Sequence, residues 1–266
     1  MPDPLEASQE YPAPDPDRGS TPSTDRTGRP SAGRTPTDPP QAVLFDFQGT
    51  LAQVEDPVIW VQEAARSCGT ELDRLRATAL ADRLVMAGRA GGPPPHRVPP
   101  HLAEVYADRD LYPHAHRAAY TGLAQTVPCD VEGLPEALYE RILSPDGWTV
   151  YGDTLPTLKA LRAAGVPVAV VSNIGFDIRP VAERLGFADL VDAFVLSFEV
   201  GHCKPDSAIF LRACGMLRVE PERTLMVGDT PADAGAVMAG CRVLIVPAGP
   251  PGAVNGITAV LDLAGL

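Results

Sequence analysis

Residues 42–51, Ala-Val-Leu-Phe-Asp-Phe-Gln-Gly-Thr-Leu, decide how the rest of the chain is read. Four apolar residues, Ala42 to Phe45, run without alternation into Asp46, and a Gly49-Thr50 turn follows. Such a run fits a strand covered on both faces, as in a parallel sheet with helices on either side. Asp46 then stands where the strand ends, at the carboxyl edge of the sheet, where open α/β folds gather ligands. A carboxylate there is a candidate nucleophile or metal ligand. Taken alone, an Asp in this place more often does no more than cap a turn.

The same pattern returns after residue 146. Apolar strands are predicted at 166–171, 193–197, 224–227 and 243–246. The first of these ends on Ser172-Asn173, and the third on Gly228-Asp229 with Asp233 close behind. Helices are predicted between them, from Asp153 or Thr154 to Ala164 with Gly165 as the stop, near 177–185, from 206 to 214, and over 232–240. Lys204-Pro205-Asp206 is read as the opening of the third helix, with Pro205 in a first-turn position that tolerates it. Strands alternating with helices imply an α/β fold, a Rossmann-like parallel sheet wound on both faces.

Residues 56–145 have another texture. Apolar residues recur at helical spacing over 60–66, 72–88, 113–125 and 135–143, for example Leu72, Leu75, Ala79 and Val85. A Gly/Pro-rich break covers 88–100. The expected organisation is a core of 41–55 and 146–266, interrupted after the first strand by a helical insertion at 56–145. Residues 1–40 hold ten of the 29 prolines and little that is apolar beyond Leu5 and Tyr11. That composition buries too little surface to offset the entropy of ordering, so a disordered tail is expected.

Composition excludes some partners. A net charge of −12 argues against a nucleic-acid backbone or an anionic membrane surface. No run approaches the roughly 18 to 20 apolar residues that span a bilayer, and no secretory signal is read at the N-terminus. Cys68, Cys129, Cys203, Cys214 and Cys241 form no C-x-x-C pair and no zinc spacing. Reduced thiols in a cytoplasm are the expectation. Lys159 and Lys204 are the only lysines among 22 basic residues.

Asp46, Ser172-Asn173, Lys204 and the Asp229/Asp233 pair, in that order, resemble the four motifs of the haloacid dehalogenase superfamily. The resemblance spans about residues 42 to 250, and the helical insertion matches that superfamily's C1 cap. It implies that Asp46 attacks phosphorus and forms an aspartyl phosphate, dividing a hard hydrolysis into two easier steps. It further implies a Mg²⁺ held by Asp46, the backbone carbonyl of Gln48 and Asp229, with Asp233 orienting a water or ligand behind them. Lys204 neutralises Asp46 and the phosphate, and Ser172 with the amide of Asn173 binds a phosphate oxygen. The implied activity is phosphatase action on a small phosphorylated metabolite.

Gln48 departs from that pattern. Phosphatases of the superfamily usually place a second Asp there, which protonates the leaving alkoxide and then activates water. An amide exchanges no proton near neutral pH, so general acid–base help of order 10² to 10⁴ in rate is missing at this position. Three readings stand beside one another: a phosphatase that is weakened, restricted to good leaving groups or supplied with an acid by the cap; a phospho-ligand or protein-binding module without turnover; and dehalogenase-like chemistry, against which the retained Asp229 and Asp233 count. His96, His101, His114 and His116 are loose candidates for a cap acid. Arg66, Arg97, Arg109 and Arg117 are candidates for holding a second anionic group.

Overall fold

The computed structural model describes residues 38–266; the expected tail lies outside the described residues except for its last three. Five strands form one parallel sheet: β1 (Ala42–Phe45), β4 (Val168–Ser172), β5 (Ala193–Leu196), β6 (Thr224–Gly228) and β7 (Arg242–Ile245), in spatial order β5-β4-β1-β6-β7. The α/β class is as the sequence predicts, and β1 lies at the centre of the sheet. Successive side chains serve opposite faces. Val43, Phe45, Val168, Val170, Leu225 and Val227 enter one apolar cluster. Leu44, Ala169, Val171, Val195 and Met226 enter the other. Both faces are therefore dry, which is why the strands show no polar alternation.

Helices cover the sheet: α6 (Thr154–Ala163), α7 (Arg179–Arg184), α9 (Ser207–Leu217) and α11 (Ala259–Ala264), with short α8 (Ser197–Val200) and α10 (Pro231–Ala234) at strand ends. Several boundaries differ from expectation. The predicted helix 232–240 is α10 followed by a 3₁₀ stretch, Gly235–Ala239. Helix α9 starts later than predicted: Asp206 is its N-cap, accepting from the Ala208 amide at 2.9 Å, so Pro205 precedes the helix, joined to Lys204 by a cis peptide. Asp153 stands at the N-cap position of α6 but does not cap it. Its carboxylate accepts from the amides of Asn255 and Gly256 instead.

The helical insertion contains α1 (Pro57–Ser67), α2 (Arg74–Ala87), α3 (Ala103–Ala107), α4 (Pro113–Gln125) and α5 (Leu134–Leu143). Helix α3 was not predicted; five residues are too few for a periodic signal. Two further strands escaped for the same reason. β2 (Ala52–Val54) and β3 (Trp148–Val150) pair antiparallel, Ala52 opposite Val150 and Val54 opposite Trp148. The chain thus leaves and re-enters the core along one short ribbon. Trp60 and Trp148 are buried and donate their indole N–H groups to the carbonyls of Leu138 and Ile142.

His116 sits buried between α4 and α5, hydrogen-bonded to the Tyr139 hydroxyl at 2.8 Å and ringed by Tyr120, Tyr139 and Phe176. Burial, helped by Arg109, pushes its imidazole down to about 3. The unfolded imidazole takes a proton near 6.5. Between those values the unfolded chain binds one more proton, so this stabilisation is complete above pH 6.5 and is lost as pH falls. Urea denaturation of wild type and His116→Gln from pH 4 to 8 is expected to show an acid limb in the wild type steeper by roughly 1.4 kcal/mol per pH unit below 6.5.

Candidate functional site

The site is assembled at the carboxyl ends of β1, β4 and β6. Strands β1 and β6 are adjacent, with Phe45 opposite Val227, and the Asp46 amide donates to the Val227 carbonyl at 2.9 Å. The chain passes from β1 to β4 and β5 on one side before returning to β6 and β7 on the other. The crevice between β1 and β6 is therefore a topological switch point. Asp46 and Asp229 leave the sheet on its two sides, and Asp233 follows on α10.

Oxygens of Asp46, Asp229 and Asp233 lie within 4.8 Å of one another. Lys204 stands among them, its Nζ donating to Asp46 Oδ1 at 2.5 Å and to Asp233 Oδ1 at 2.6 Å. Asp233 is wholly buried and spends its other oxygen on the amide and hydroxyl of Thr230, closing a capping box at the start of α10. Asp229 Oδ1 accepts from the Thr50 hydroxyl at 3.4 Å. The turn bearing Thr50 is held in turn by Asn255, whose side chain donates to the Thr50 carbonyl, and by the Thr154 hydroxyl on the Leu51 carbonyl.

Burial dominates the electrostatics. It pushes the Asp46 carboxyl up to about 7, against the pull of Lys204, and Asp233 and Asp229 add to the rise. Burial and Asp233 likewise raise Asp229. Burial draws the Lys204 ammonium down, but Asp46 and Asp233 outweigh it and hold it above its ordinary range. Fully ionised, three carboxylates beside one ammonium carry two net negative charges, which one divalent cation would offset, and the upward push on Asp46 and Asp229 is what uncompensated charge there produces. An all-oxygen donor set suits a hard cation, so the residues fit a metal, with Asp46 and Asp229 offering the freer oxygens.

The other residues named from sequence fall as follows. Ser172 is buried at the end of β4. The Asn173 side chain makes a reciprocal pair with Lys204, donating to its carbonyl at 2.9 Å and accepting from its amide at 2.7 Å, which sets the lysine's position. Gln48 lines a cavity of about 160 Å³ between the strand ends and the insertion, together with Asn173, Arg109, Asp110, His116 and Tyr120 among others. Of the four arginines considered, Arg109 alone among these lines that cavity. Arg66 pairs with Glu63 and Glu71, Arg117 pairs with Glu140, and Arg97 is exposed. His116 is a packing residue that also reaches the cavity wall, while His96, His101 and His114 are exposed. Asp110 was not singled out from sequence; an Asp shortly before Pro113 reads locally as nothing more than a turn.

No helix among the described residues is long and apolar enough to cross a membrane. A Rossmann-like sheet with acids and a buried lysine at its strand ends is the framework of a large class of hydrolytic enzymes. Residues 40–239 match the family model for haloacid dehalogenase-like hydrolase, and the chain belongs to that family. Phosphoglycolate phosphatase of Rhodospirillum rubrum is 36% identical over 234 residues, covering 84% of this chain and 87% of that protein. N-acetylmuramic acid 6-phosphate phosphatase of Pseudomonas aeruginosa is 28% identical over 200 residues, covering 71% and 73%. The crystal structure of a dehalogenase with intermediate complex shares the fold at a TM-score of 0.59 and 22% identity, over 85% of this chain and 97% of that one. The chain is thus a hydrolase with phosphatases among its relatives.

Gly49 has φ +87, and a Cβ on it would lie 2.3 Å from Asp229 Oδ2. Gly49→Ala therefore strains the turn and displaces Asp229 together. Titration calorimetry with Mg²⁺ is expected to show affinity lowered on the order of 10- to 100-fold, the range seen when a ligand loses its support.

Proposed function

We propose that this chain is a Mg²⁺-dependent phosphatase acting on a small phosphorylated metabolite through an aspartyl phosphate on Asp46. The observation that carries the reading is the convergence of Asp46, Asp229, Asp233 and Lys204 in one buried site with a charge deficit matching a divalent cation. Asp46 and Asp229, with the Gln48 carbonyl, are the residues to hold Mg²⁺, which when bound supplies charge neutralisation for phosphoryl oxygens. Asp233 orients Lys204 from behind. Lys204 pulls the Asp46 carboxyl toward its ionised form, against burial, and directs a second positive charge at the transferring group, whose transition state is governed by positioning and charge. Ser172 and the Asn173 amide bind a phosphoryl oxygen. The leaving group occupies the adjoining cavity of about 160 Å³, close to the volume that an engineered cavity offers benzene. That size supports a small substrate.

A second reading is favoured by one residue. Gln48 exchanges no proton, which suits a module that binds a phosphorylated ligand without turning it over.

The two readings are separated by Mg²⁺-dependent phosphate release from a panel of small monoesters and acyl phosphates, run beside Asp46→Asn. Turnover is expected in the wild type and a loss of at least about 10³-fold in the variant, with acid-stable label on the protein in the wild type alone. Phosphate release that survives Asp46→Asn sinks the mechanism. Binding of a phosphate mimic without release from any substrate gives the case to the module.

A further inference from the structure

The chemistry proposed for Asp46 leaves a proton unaccounted for. An alkyl monoester releases an alkoxide, which needs a proton as the P–O bond breaks, and Gln48 has none to give. Where alkyl monoesters are turned over, a donor other than Gln48 supplies that proton, and the cavity that Gln48 lines is the place to hold one. Four other ionisable side chains line it. Arg109 never releases its proton. His116 is held neutral by burial and already hydrogen-bonded to Tyr139. Burial pushes the Tyr120 phenol far up, so it holds its proton. Asp110 remains.

We propose that Asp110, carried by the helical insertion on the loop between α3 and α4, is the general acid and base of the reaction, replacing the acid absent at position 48. This inference rests on the phosphatase reading above. Its geometry is the support. Asp110 shares the cavity with Gln48 and Asn173, and its carboxyl lies within the electrostatic reach of Lys204. Its loop is pinned to the core from two sides. The wholly buried Ser197, where β5 enters α8, donates its hydroxyl to the Asp110 carbonyl while accepting from the Ile174 amide at 2.8 Å. Gly175 lies so close that a Cβ there would stand 2.4 Å from the Arg109 carbonyl. Arg109 Nη2 meets Asp110 Oδ2 at 3.2 Å, and Arg109 itself is fixed by the Tyr106 carbonyl and stacked on the Tyr106 ring. Burial raises the Asp110 carboxyl while Arg109 and Lys204 restrain it, which brings a carboxyl nearer the range where it both gives and takes a proton.

The steps balance. An Asp46 oxygen forms a bond to phosphorus, the P–O bond to the leaving group breaks, and the Asp110 proton passes to that oxygen, leaving alcohol, aspartyl phosphate and an Asp110 carboxylate. Asp110 then takes a proton from water as the water oxygen bonds to phosphorus. The P–O bond to Asp46 breaks, inorganic phosphate departs and both carboxyls are restored.

Rapid-quench phosphorylation of the full chain with Mg²⁺ tests this on two radiolabelled probes. Acetyl phosphate expels a carboxylate that needs no proton; glycerol phosphate expels an alkoxide that does. Asp110→Asn is expected to slow labelling by glycerol phosphate roughly 10²- to 10⁴-fold and by acetyl phosphate less than about tenfold. Gln48→Asp built on that variant is expected to restore glycerol phosphate labelling, which a misfolded protein does not do. Equal losses on both probes, or no loss on either, overturn the assignment. So does a wild type labelled by acetyl phosphate and never by glycerol phosphate, since it has no acid at all. A wild type labelled by neither probe overturns the phosphatase reading itself, and this inference with it.

Discussion

A single ammonium, buried to within a few per cent of its surface, ties the site together. Lys204 bridges Asp46 at the end of β1 and Asp233 on α10, and its backbone is clasped by Asn173 beyond the end of β4. Residues far apart in sequence are thereby locked to one point above the sheet. Removing the charge of such a group while leaving its partners buried costs about 3–5 kcal/mol. The same contacts that hold the strand ends together fix the direction in which the Asp46 carboxylate is presented. Folding and electrostatic preparation are here one interaction, and its incomplete neutralisation is what makes a cation welcome.

How much of this is legible in sequence follows from the physics of each element. The parallel strands announce themselves because both faces are dry, so an apolar run ending on Asp46, Ser172 or Asp229 marks a rim position directly. Helices of two or more turns, such as α1, α4 and α5, carry enough periods to be read. The β2–β3 ribbon offers three residues a side, and no pattern survives at that length. The helix after β6 gives way to a 3₁₀ stretch at Gly235, where a Cβ would stand 2.4 Å from Pro205, a closeness no local pattern announces. At Asp153 the carboxylate serves Asn255 and Gly256 rather than the helix it precedes. Both features depend on a partner distant in sequence.

Asp110 is the strongest instance. Nothing around it in the chain distinguishes it from an ordinary turn residue. Its significance arises only when α4 is laid over the end of β4 and Ser197 takes hold of its carbonyl. Gln48 was legible as a vacancy in the chemistry; what faces it was not, because that depends on how the insertion docks.

The location of a proton donor has a consequence beyond supply. An acid on the turn after β1 is in place whatever the insertion does, since that turn is fastened by Asn255 and Thr154 within the core. An acid on the loop between α3 and α4 is in place only while that loop lies against Ser197 and Gly175. Docking of the insertion and completion of the acid–base apparatus then become the same event. With the insertion displaced, Asp46 and Lys204 still face each other, but an alkoxide formed there finds water rather than an acid. Under that proposal, catalysis on alkyl phosphates would be restricted to ligands small enough to let the loop seat, with the cavity of about 160 Å³ as the limit. On the proposed assignment of Asp110, specificity is exerted through proton delivery as well as through fit.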